Sequence, residues 1–178
     1  NSLTGLFLLR VADGAVTEWA IKPEISTDVP PSWSPDGQAV ALQRDVGTDA
    51  EIVILHRGSH RARRLVEGRF PSWSPHGDAI GFIDLEGRRS LSIPATGGSA
   101  RELFSPPKFT HELVAQLVWS PAGDQLVFHR SHGLKGTSRV IFLADAGTGK
   151  RRRIYTGDAL EILAWRPASA PQATPTSQ

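Results

Sequence analysis

The sequence predicts an all-β chain, a β-propeller of four-stranded antiparallel blades, and three observations predict it. First, a Trp-centred motif recurs four times: PSWSPDG around Trp33, PSWSPHG around Trp73, VWSPAGD around Trp119 and AWRPA around Trp165. The spacings of 40, 46 and 46 residues match a blade repeat of about 40 to 50 residues. Second, apolar residues two apart follow each of the first three Trp residues: Val40 and Leu42, Ile80 and Phe82, Leu126 and Phe128. That alternation buries one face of a strand. Third, a glycine-bearing turn divides the two later apolar runs of each unit, where a tight hairpin needs a positive φ.

Each element then follows in order. Residues 5–20 read as the second half of a blade, with Leu6 to Leu9 as third strand, Asp13-Gly14 as turn and Val16 to Trp19 as fourth strand. Residues 30–67, 70–104 and 113–156 read as complete blades. Their third strands are Ile52 to Leu55, Leu91 to Ile93 and Val140 to Leu143. Their turns are Gly58-Ser59, Gly97-Gly98 and Gly147-Thr148-Gly149. Their fourth strands carry Arg64-Leu65-Val66, Arg101-Glu102-Leu103-Phe104 and Arg153-Ile154-Tyr155. Between the paired apolar positions stand Ala41, Gly81 and Val127, residues that suit close packing on the opposite face. Residues 160–167 supply one more first strand, so the repeats occupy 1–167. Residues 168–178 are a Pro/Ala/Ser/Thr/Gln tail without core-forming residues, read as disordered or a linker. Two organisations fit this count: part of a larger propeller, or a small four-bladed ring closed by strands from both ends.

Composition narrows the class. In 178 residues, 39% hydrophobic and 21% charged, no apolar run approaches a membrane-spanning helix, and no signal-peptide core is expected near the start. Without Cys there is no disulfide, thiol nucleophile or thiolate ligand. The net charge is +2 with a pI near 9.4, carried by sixteen Arg against four Lys. Genome bias would give the same skew, so it says little about an anionic partner.

PSWSPDGQAVAL and PSWSPHGDAIGFID, each followed by a strand, a Gly turn and an Arg-led strand, resemble the WD40-like (PD40) repeats of the TolB-like propeller family. Similar repeats occur in the propellers of prolyl-oligopeptidase-like and tricorn-like peptidases. The resemblance covers about residues 5 to 167. It implies a bacterial, extracytoplasmic interaction scaffold, periplasmic or at the cell surface, and transfers no binding residue. The motif residues themselves read as structural: Ser-Pro ends the first strand, the next residues reverse the chain, and Trp packs between blades. The turn position holds Asp36, His76, Ala122 and Ala168 in successive units, a variation unsuited to a catalytic carboxylate.

The chemical candidates are few. The basic clusters Arg61, Arg63, Arg64 and Arg151, Arg152, Arg153 offer a patch for phosphate or an acidic partner. Equally, they are charged outer strands that discourage edge pairing. No aromatics interleave them, so no nucleic-acid partner is expected. Ala144 to Lys150 resembles a phosphate loop, yet it lacks the leading Gly and has Arg151 where Ser or Thr is required. His111-Glu112 lacks the second His of a zincin, which would fall at Ala115. His56, His60, His129 and His132 read as exposed loop residues without metal-ligand spacing. No G-x-S-x-G elbow is present. The expectation is therefore a protein partner, no cofactor, no metal and no catalytic residue. The alternatives are the gating propeller of a serine hydrolase whose catalytic domain lies elsewhere, or a carbohydrate, small-ligand or lyase site at the funnel mouth. Three or more His around one pocket would mark the last.

Overall fold

A computed structural model describes residues 5–21, 25–26, 28–59, 61–104, 112–132, 138–158 and 165. Among them are fourteen strands in four antiparallel sheets. β1 (Gly5–Leu9) and β2 (Val16–Ile21) form a two-stranded half-blade. β3 (Ser32–Trp33), β4 (Ala39–Val46), β5 (Asp49–His56) and β6 (Arg63–Glu67) form the first full blade, in sequential order. β7 (Arg69–Trp73), β8 (Ala79–Ile83), β9 (Ser90–Pro94) and β10 (Arg101–Phe104) form the second. β11 (Glu112–Trp119), β12 (Gln125–His132), β13 (Ser138–Asp145) and β14 (Arg151–Asp158) form the third. This is a β-propeller whose sheets do not close into a ring among the described residues. Of the last first strand only Trp165 is described, and the 168–178 tail, His60 and His111 lie outside the described residues.

The cores lie between blades, because each sheet is apolar on both faces. Val40, Leu42, Val53 and Leu55 pack with Trp19 of the half-blade, while Ala39, Ala41, Ile52 and Ile54 turn to Trp73, Ile80, Phe82 and Ile93 of the second blade. The third core joins Ile83, Leu103 and Phe104 to Leu117, Leu126, Phe128 and Ala144. In that core Phe128 stacks between Phe104, at 4.2 Å, and Phe142, at 5.4 Å.

The repeated Trp sets the blade-to-blade spacing. Trp119 Nε1 donates to the Ser72 carbonyl, and Trp165 Nε1 donates to the Val118 carbonyl, both at 3.1 Å. Each acceptor immediately precedes the Trp of the blade before. Gly81 provides the room: a Cβ there would lie 2.6 Å from Leu117 Cδ2 and 3.0 Å from Trp119 Nε1.

The Ser of the motif is equally systematic. Ser34, Ser74 and Ser120 each accept the amide five residues on and donate to a carboxylate. That carboxylate is Asp36 in the first blade but Asp78 and Asp124 in the others. The Ser34 hydroxyl holds Asp36, and the Ser74 hydroxyl holds Asp78, below the ordinary carboxylate value. The varying motif Asp is thus compensated two residues later. In the second blade the freed position, His76, instead donates from Nε2 to the Ala122 carbonyl of the next blade at 3.1 Å.

The register also revises the alignment of the arginines. A bulge interrupts each pairing of third with fourth strand at the same place, and the residues paired with the equivalent Ile54, Ser92 and Leu143 are Arg63, Arg101 and Arg152. Arg63 Nη2 donates to the Ala95 carbonyl at 2.6 Å, and Arg101 Nη1 to the Ala146 carbonyl at 3.5 Å, each crossing to the next blade. The histidines are corrected too: His56 is exposed but closes β5, and His132 pairs within β12 rather than standing in a loop. His129 is buried within β12, because that strand runs on to His132 between two equally long partners.

Candidate functional site

Sequential antiparallel order places the first-to-second and third-to-fourth strand turns at one end of every blade. On this hairpin face a cleft opens where neighbouring blades meet. Between the first and second full blades the cavity is about 550 Å³, with Trp73 and Ile54 toward the apolar side and Asp36, His56, Arg63 and His76 among its polar residues. Between the half-blade and the first blade it is about 450 Å³, lined by Leu8, Trp19, Trp33, Arg10, Glu18 and Arg57.

The two clefts differ at the Trp. Trp73 is 9% exposed, whereas Trp33, its equivalent, is 47% exposed and stacks on Trp19 with centroids 5.1 Å apart. Trp19 is fixed in turn, its Nε1 donating to the His56 carbonyl at 3.3 Å. Arg10 is paired with Asp13 at 3.1 Å, while Arg57 has no carboxylate partner among the described residues. The result is an exposed indole platform beside guanidinium groups.

The basic residues singled out by sequence fall on two separate outer strands and their hairpins. Arg61 is exposed beside the turn, and Arg63 spans to Ala95. Arg64 Nε donates to Glu51 at 2.5 Å and its Nη2 to Glu67 at 2.9 Å. Arg151 is half-buried, and Arg152 and Arg153 are exposed on β14. The second blade stands between the two groups. The phosphate-loop look-alike is a capped turn: Asp145 Oδ1 accepts from the Thr148 hydroxyl, the Thr148 amide and the Gly147 amide, which lower its pKa.

Glu51 was not picked out by sequence, yet it anchors the first blade. Its carboxylate, 10% exposed, joins Arg44 of β4 to Arg64 of β6. Burial pushes this carboxyl up, but the hydrogen bonds and charges of Arg44 and Arg64 outweigh it and leave the group below its ordinary 4.5. A folded-state value below the unfolded one stabilises above the unfolded value, and that contribution is lost as pH falls through the folded value. Stability is therefore expected to drop as pH is lowered below about 4.5. The Glu51→Gln chain should be less stable at pH 7 and show a flatter acid limb in urea titrations; parallel acid limbs would refute the assignment.

Gln43 escaped notice as well. Buried in β4, it accepts the Phe70 amide of the second blade at 3.1 Å through Oε1. Phe70 and Gln116, both three residues before a motif Trp, have φ of 55° and 49° where the first strands bulge. Nothing local marks these positions.

Among the described residues no group of three or more His, Asp or Glu could hold a metal ion, and no helix is long and apolar enough to cross a membrane. Among the described residues His56 and His76 share one cleft.

No family model matches the chain, and no curated relative does. Solved structures share its fold. TolB from Acinetobacter baumannii superposes with a TM-score of 0.68 at 18% identity, over 84% of this chain and 37% of that one. An oligogalacturonate lyase in complex with manganese gives 0.62 at 16%, over 86% and 48%. The Pyrococcus horikoshii acylaminoacyl peptidase gives 0.56 at 11%, over 74% and 25%. The chain spans less than half the length of each of these neighbours. The likeness defines a propeller and no more than that.

Proposed function

We propose that the chain is a non-enzymatic protein-interaction scaffold, a run of propeller blades offering its hairpin face to a protein partner. The observation that carries this is the half-exposed Trp33, stacked on Trp19 and flanked by Arg10 and Arg57. Trp and Arg dominate binding energy in protein interfaces because they combine large contact area with a polar handle. The fold shared with TolB supports the class, and the repeat resemblance supports a bacterial, extracytoplasmic setting. The exposed Arg61, Arg152 and Arg153 serve as a steering rim for an acidic partner.

Site-specific photo-crosslinking in the native host, from Thr17 and Ser59 beside the cleft, tests the reading. One discrete adduct from both positions is expected, weakened by Trp33→Ala. Absence of any adduct would refute it. A second reading, the gating propeller of a serine hydrolase, is favoured by the fold shared with acylaminoacyl peptidase. Labelling of the same polypeptide by a fluorophosphonate probe would establish that reading instead.

A further inference from the structure

Of the three junctions between successive motif Trp residues, one is not sealed as the other two are. Trp119 and Trp165 donate from Nε1 to the carbonyl just before the preceding motif Trp. By the same rule Trp73 should reach the Ser32 carbonyl. Instead the Ser32 hydroxyl oxygen accepts the Trp73 backbone amide at 2.8 Å, and the Trp73 indole N–H is buried without an acceptor among the described residues. Buried donors are rarely left unpaired in native proteins, so this one calls for a partner. The cleft of about 550 Å³ lies at this junction, and Trp73 lines it. Both of its walls come from complete four-stranded blades.

Two opposite charges line the cleft without meeting. Asp36 Oδ1 accepts from the Ser34 hydroxyl at 2.6 Å and from the Gln38 amide at 3.0 Å. Arg63 is anchored to the Ala95 carbonyl. Neither has an ion-pair partner among the described residues, and they do not pair with each other. Each charge is thus positioned by a neutral group and left to meet its opposite from elsewhere. Ala39, Ile54 and Trp73 belong to one core, and Ala95, which fixes Arg63, packs against that core. A concave site of about 300 to 1,000 Å³ with an apolar wall and a few placed polar groups is the usual form of a small-ligand site.

We infer that this cleft binds a small zwitterion with an apolar side chain, a free amino acid or a peptide of two residues. The ammonium meets Asp36, the carboxylate meets Arg63, and the side chain lies along Ile54 and Trp73. Guanidinium suits a carboxylate because its donors form a planar fork, and such charge-assisted bonds are the strong ones. The unpaired Trp73 donor calls for an acceptor, as Arg63 does, and a carboxylate answers both. A simple amine leaves Arg63 unmatched, a simple acid meets Asp36 as a like charge, and a neutral sugar matches neither. The site is separate from the cleft beside Trp33, so the scaffold reading stands or falls without it.

The test titrates the 178-residue chain with leucine and with leucyl-leucine by calorimetry, while the Trp73 indole N–H resonance is followed in isotopically labelled protein. At least one of the two should bind and shift that resonance, and the tighter of them identifies the source. Isoamylamine, which lacks the carboxylate, and isocaproate, which lacks the ammonium, should each bind about tenfold more weakly or worse. Arg63→Gln should abolish the advantage over isoamylamine, and Asp36→Asn the advantage over isocaproate. Both positions are exposed, and Asp36→Asn keeps an oxygen to accept from Ser34 and Gln38. Equal binding of zwitterion, amine and acid overturns the proposal, as does tighter binding of maltose or no binding at millimolar concentration. Loss of every compound alike in both variants also overturns it, because charge matching removes one advantage at a time.

Discussion

Phe128→Ala is expected to lower the stability of the chain by about 3–5 kcal/mol, the largest loss from any single change considered. Phe128 is fully buried and stacks against Phe104 from the second blade and Phe142 from its own sheet. Truncation removes the transfer free energy of the ring, leaves a cavity that neighbouring strands cannot collapse, and forfeits both ring contacts. For a domain of this size that corresponds to a fall in Tm of roughly 6–20 °C. The effect should also be local. Repeat architectures are stabilised chiefly by nearest-neighbour interfaces, so exchange should accelerate in β12 and β13 while β4 and β5 keep their protection. A loss below about 1 kcal/mol, or equal acceleration in the first blade, would show that the blades are not coupled as the cores suggest.

Gly81→Val is the second large effect, and it runs against intuition, since valine favours strands. The site has no room. A Cβ would stand 2.6 Å from Leu117 Cδ2, which can move, and 3.0 Å from Trp119 Nε1, which is tied to the Ser72 carbonyl. Pushing the indole away breaks that bond and parts the second and third blades. Overpacking costs about 1–3 kcal/mol, and the lost hydrogen bond adds about 1. Gly81→Ala should cost less, because its single methyl asks mainly that Leu117 rotate. Urea unfolding of both variants measures this, and a Gly81→Val chain as stable as the parent would remove the spacer role from Gly81.

Much of the fold was legible because its signals are local. Val40 and Leu42, or Leu126 and Phe128, announce a strand face through alternation alone. The turn glycines announce a reversal because Gly37, Gly77 and Gly123 take φ of 68°, 78° and 74°, which other residues adopt rarely. The apparent chemistry of the phosphate-loop look-alike was likewise dismissed on local grounds, and Asp145 now fills that turn. The arginines were harder. Sequence aligned Arg64, Arg101 and Arg153, but the strand register places Arg63 and Arg152 opposite the same third-strand position as Arg101. An offset of one residue changes which side chain reaches the next blade, and the sequence carries no mark of it.

The four Trp motifs, read from the chain alone, established a run of blades, their strand order and the half-blade at one end. Each of these follows from periodicity and turn chemistry within a few residues. Which polar groups are used up and which stay available emerged only from packing between positions 7 to 46 residues apart. Glu51 holds Arg44 and Arg64 together, Gln43 meets Phe70, and His76 reaches Ala122. Trp33, the same residue in the same motif as Trp73, is half exposed and stacked on Trp19, whereas Trp73 is buried between blades. A residue's type is written in the sequence, but its neighbours are set by how one blade lies against the next.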